Sequence, residues 1–86
     1  MATTSVPILV TVSAEQISEL NRDLAAMRHD INNHLSLIMA SLELIRYKPQ
    51  MAEKMLNTVS EQPPKIGAAL TKFSAEFERI LGLPHG

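Results

Sequence analysis

From Ile17 onward the apolar residues keep a helical beat: Ile17, Leu20, Leu24, Met27, Ile31, Leu35, Ile38, Leu42 and Ile45. Steps of three and four residues, sustained for about eight turns, are the period of an α-helix with one apolar stripe. Ser13 stands at the start as an N-cap, and Gln16 three residues later completes a capping box. Glu15 in the first turn suits the positive end of the helix dipole. Neither Gly nor Pro occurs between Pro7 and Pro49. The helix is expected to close at Tyr47-Lys48-Pro49, because the residue before a proline is pushed out of the helical region.

A second run carries Met51, Met55, Leu56, Val59, Ile66, Leu70, Phe73, Phe77, Ile80 and Leu81. Pro49 suits its first turn, and Gly82 with Pro84 reads as its stop. Pro63-Pro64 interrupt the run, removing two backbone donors and crowding the preceding turn. The apolar phase resumes at Ile66, seven residues after Val59, so the spacing predicts a kink that keeps the face aligned. Residues 1–12 hold Val6, Ile8, Leu9, Val10 and Val12 around Pro7, a non-helical, extended arm. Residues 83–86 form a short tail.

The short connection at Lys48-Pro49 makes the two helices antiparallel. The expected fold is all-α: a helical hairpin over residues 13–82. Each helix would be roughly 50 Å long at 1.5 Å per residue. Two such helices leave one side of their apolar stripes in water, at a loss of about 25 cal/mol per Å². A second copy closes that side, so the hairpin is expected to form a homodimer, a four-helix bundle with two-fold symmetry.

Composition agrees with one small helical domain. The chain has 86 residues, 45% of them apolar, with one Tyr, two Phe and no Trp, so its core is aliphatic. Absence of cysteine excludes disulfides and thiolate metal sites and favours a reducing compartment. A formal charge of −1 gives no footprint for nucleic acid, and Lys48, Lys54, Lys65 and Lys72 are scattered and expected to be solvated. The longest apolar stretch is too short to cross a bilayer, and a cytoplasmic location is the default. No glycine-rich loop that could cradle phosphates is present.

Chemistry then rests on the histidines. With Ile17, Leu24, Ile31, Ile38 and Ile45 at heptad position a, His29 falls at f, farthest from the seam, and should face water. His34 falls at d and reads as a partly buried structural side chain, while His85 lies in the tail. Beside His29 stand Arg28, Asp30 and, one turn on, Asn33. A neutral imidazole offers one nitrogen lone pair, and a carboxylate on the other nitrogen would raise its nucleophilicity. A basic neighbour and an amide suit phosphoryl transfer, where positioning and charge balance dominate. Metal binding by His29, Asp30 and His34 fits poorly, because ligands five residues apart diverge around a helix where i, i+4 would converge.

Arg28-His29-Asp30-Ile31-Asn32-Asn33-His34-Leu35 resembles the H-box of sensor histidine kinases, in the version His-Asp-x-Asn-Asn-x-Leu. Ile38, Ser41, Leu42, Leu44 and Ile45 continue the first helix of that family's dimerisation and phosphotransfer domain; the second helix is similar only in pattern. The resemblance covers roughly residues 14–82. It implies that His29 accepts phosphoryl on the ring nitrogen remote from the backbone, that Asp30 assists transfer, and that Asn33 positions a water for phosphate removal. It implies a response-regulator receiver domain as partner. His34 stands where many relatives carry proline, so no bend is expected there. In that family a separate ATP-binding domain follows the helices. No such motifs follow Gly82, so no cofactor is expected in this chain and ATP would need a separate kinase domain. A kinase-derived domain or a stand-alone phosphotransfer protein are the two forms expected. The rivals are a purely structural homodimeric bundle and a monomeric four-helix phosphotransfer protein.

Overall fold

In the computed structural model, which describes residues 11–83, two helices form a hairpin. The first, α1, spans Ala14–Tyr47 and the second, α2, spans Ala52–Leu81. No strand occurs among the described residues. The expected arm, apart from Thr11 and Val12, and the tail beyond Leu83 lie outside the described residues.

Local chemistry sets the helix ends. Ser13 is extended (φ −83°, ψ 163°), and its hydroxyl accepts from the Gln16 amide at 3.0 Å. The Gln16 side chain accepts from the Ser13 amide at 2.8 Å, completing the capping box. Removing that cap should cost about 1 kcal/mol. A Ser13→Ala chain is therefore expected to unfold at a lower urea midpoint with an unchanged slope. At the far end Gly82 adopts φ 66°, the left-handed region where a Cβ is penalised. Its amide donates to Arg79 O, and the Leu83 amide donates to Glu78 O, the Schellman pattern that satisfies the last carbonyls.

The connection differs from the simple expectation. Pro49–Met51 form a 3-10 turn, and α2 proper begins at Ala52, so Pro49 opens the turn rather than the helix. The Lys48 amide donates to Leu44 O at 2.7 Å, closing the last turn of α1. Through Pro63-Pro64, α2 continues as one helix.

Two side-chain contacts fix how the helices lie against each other. Gln16 Nε2 donates to Ile80 O at 3.0 Å, and His34 Nδ1 meets Gln62 Oε1 at 2.8 Å. Gln16 and His34 are 18 residues apart, and so are Gln62 and Ile80. Eighteen residues are five full turns, so both contacts share one register and one face. Ser41, seven residues beyond His34, is buried on that face, as are Gln62 and Ile80 on α2.

The pair is one layer, with extents of 62 × 30 × 18 Å. One layer leaves apolar side chains open. Ile80 is the one buried apolar residue among those described, whereas Ile17, Leu35, Leu42, Leu56, Leu70 and Phe77 are exposed. Their placement is systematic. Leu35 is one residue past His34, about 100° further round α1, and Leu70 is eight residues past Gln62, about 80° further round α2. Antiparallel helices are viewed from opposite ends, so the same turning sense on each leads to the same side of the pair. One flat side of the hairpin is therefore apolar.

Candidate functional site

His29 is exposed on α1, five residues before His34, which puts it about 140° from the seam in the sense opposite to Leu35. It thus faces away both from α2 and from the apolar side. Asn33 lies one turn on and is also exposed. Because helical side chains lean toward the N-terminus, its Nδ2 reaches back to His29 Nε2 at 3.4 Å. The amide nitrogen can only donate, so Nε2 is the acceptor in this contact. The remote nitrogen therefore carries the lone pair, held by a long and easily released hydrogen bond. Arg28, next in the chain, is exposed as well.

Asp30 does not join this pair. It makes no hydrogen bond or ion pair with the imidazole; four residues before His34, it stands only about 40° from the seam. There it lines a cavity of about 70 Å³ between the helices, with Asp23, Glu76 and Lys72 around a floor of Ala26, Met27, Ala69 and Phe73. Passing from the seam round α1, the side chains run Asp30, Asn33, His29. The carboxylate is on the same side of the hairpin as the imidazole but is turned to the groove. Lys72 is exposed, as expected, and also lines this wall. No periodicity in α2 alone points to it, because its place depends on the register against α1.

His34 is partly buried, in keeping with its d position. Its partner, Gln62, carries no signal in the apolar pattern. The imidazoles of His29 and His34 point to different sides, so they do not converge as a metal pair.

A third cluster lies toward the open end. Glu19, Asp23 and Glu76 offer carboxylate oxygens within 4.8 Å of one another. Arg79 supplies the positive charge there, bonding Glu76 at 2.7 Å and Glu19 at 2.8 Å. Asp23 Oδ2 is buried without a hydrogen-bond partner. The hydrogen bond from Arg79 holds the Glu76 carboxyl below its ordinary range, and the two carboxylates raise the guanidinium further. A depressed folded-state value means that the ion pair's contribution is present above the ordinary carboxylate range. It is lost as pH falls through the lowered value. The pair is exposed, so the effect is small. Urea midpoints of the native chain and a Glu76→Gln chain are expected to differ slightly at pH 7 and to converge in acid, once the pH is below the lowered value.

No family model, curated protein or solved structure matches the chain. Among the described residues no helix is long and apolar enough to cross a membrane.

Proposed function

We propose that this chain is a dimeric phosphoryl-accepting domain, related in design to the dimerisation and phosphotransfer domain of sensor histidine kinases. His29 takes the phosphoryl group on Nε2 and passes it to an aspartate of a response-regulator receiver domain. The observation that carries the reading is the Asn33 amide on Nε2 of an exposed His29, within a stretch that resembles the H-box. The amide marks the remote nitrogen as the one with the free lone pair. Once phosphoryl is attached there, the same amide lies beside it and can hold a water for its removal. Arg28 offsets the incoming charge. Asp30 acts from the groove wall, where it meets an incoming partner rather than the resting imidazole.

Two hairpins pair through the apolar side, burying Leu35, Leu42, Leu56, Leu70 and Phe77 in a four-helix bundle. Leu35 and Leu42 are seven residues apart, and Leu56, Leu70 and Phe77 are spaced by multiples of seven, as a supercoiled seam requires. Pairing there leaves His29 open, because the imidazole is about 120° from that stripe. A bend in α2 at Pro63-Pro64 accompanies the pairing. The phosphoryl donor is a phosphorylated receiver or a separate ATP-binding kinase domain in the cytoplasm.

A purely structural bundle would use the same apolar side but has no need of the His29–Asn33 pair. Incubation with a phosphorylated receiver domain separates the two readings: acid-labile label on His29 supports transfer, and its absence supports assembly alone.

A further inference from the structure

Gln62 is 1% exposed, a carboxamide buried in a hairpin whose leucines are largely open to water. Both ends of its amide are used. Nε2 donates to Thr58 O at 2.8 Å, one turn back on its own helix. Oε1 is then left to face His34 at 2.8 Å across the seam, with the proton on His34 Nδ1.

The position of this amide in α2 is what gives it meaning. Pro63-Pro64 follow directly, so the carbonyls of Val59 and Ser60 lack their helical N–H donors. Upstream, Thr58 Oγ1 donates to Lys54 O at 3.4 Å and Ser60 Oγ to Asn57 O at 2.9 Å, back-bonds that loosen and bend helices. Downstream stands Gly67, with nothing within 4 Å of where a Cβ would be, so no packing demands a glycine there. Glycine weakens a helix interior. Four separate features thus soften one stretch of α2, and a single buried amide braces its first turn.

We propose that residues 58–67 of α2 are a hinge and that the His34–Gln62 hydrogen bond is the latch that keeps it closed. With the latch made, Gln62 supports the turn before the prolines and ties it to α1. With the latch released, the part of α2 after Pro64 moves relative to α1. It carries Ala69, Lys72, Phe73 and Glu76 away from Asp23 and Asp30, opening the groove that Asp30 lines. The proposal does not depend on phosphoryl transfer; it concerns two states of the hairpin.

Amide hydrogen exchange on the full chain tests it. In the native chain the amides of residues 61, 62 and 65–68, the prolines between having none, are expected to be the least protected in the interior of α2. Gln62→Leu keeps the burial but removes both hydrogen bonds. It is expected to speed exchange over 61–68 about tenfold while changing residues 53–57 and 71–78 less than about twofold. In a chain carrying Pro63→Ala and Pro64→Ala, with the backbone donors restored, the same substitution should have less than about a third of that local effect. An equal increase along the whole of α2, or the same local increase with and without the prolines, would overturn the hinge. Should Gln62→Leu fail to fold, exchange of the native chain in rising urea decides the matter. A local opening with a shallow urea slope over 61–68 supports the hinge, and one steep slope shared by all of α2 refutes it.

Discussion

A His29→Ala chain takes up no acid-labile phosphoryl group from a phosphorylated receiver domain, while the native chain labels readily. The expectation is a loss of at least about a thousandfold, since transfer needs a nucleophile with a free lone pair at that spot and no neighbour can supply one. His34 cannot substitute: it is partly buried and held in the seam by Gln62, away from the His29 surface. The fold is not at risk, because His29 is exposed and alanine is the best helix former. Circular dichroism and hydrodynamic size should match the native chain. Asn33→Ala is expected to leave uptake intact and to lengthen the lifetime of the label. Label of native intensity on the His29→Ala chain would end the assignment of the site.

The second large effect concerns assembly. Leu35 and Leu70 are 45% and 47% exposed in the hairpin, so covering the rest contributes about 1 kcal/mol each. A glutamate there must also bury a carboxylate, at roughly another 1 kcal/mol or more, and a two-fold interface counts both costs twice. Replacing Leu35 or Leu70 with glutamate should therefore weaken the dimer by about 4 kcal/mol or more, roughly a thousandfold in dissociation constant. Leu37 provides the control. It has the same 45% exposure as Leu35 but lies on the His29 side of the seam. Sedimentation at low micromolar concentration should give a dimer mass for the native and Leu37→Glu chains and a monomer mass for Leu35→Glu and Leu70→Glu. A native chain that sediments as a monomer would refute the bundle, and equal effects of Leu35→Glu and Leu37→Glu would refute this choice of side.

What could be read from the residues in order was mostly what local chemistry controls. Ser13 with Gln16 marked the start of α1, and Gly82 marked the end of α2, because caps involve partners within a few residues. The exposure of His29 and the partial burial of His34 followed from heptad phase alone. Gln62 escaped notice since a glutamine before two prolines reads as surface; its burial depends on which residue of α1 it meets, and local spacing does not specify that. Where the Asp30 carboxylate would point was open for the same reason. Next to His29 in the chain but displaced round the helix, it could serve the imidazole or an incoming group, and 100° of rotation turns its carboxylate to the groove. The 3-10 turn at Pro49–Met51 was missed because proline fixes φ equally well for either kind of helix.

The cross-helix ties differ greatly in how much chain they enclose. His34 to Gln62 spans 28 residues, and Gln16 to Ile80 spans 64. Closing a longer loop costs more entropy, so the hairpin zips from its bend outward and the Gln16–Ile80 end pairs last. Fraying then begins at that same end, where Glu19 and Arg79 add a surface ion pair of little strength. A pull or twist arriving through the residues before Ser13 would act first on the contacts that are cheapest to break.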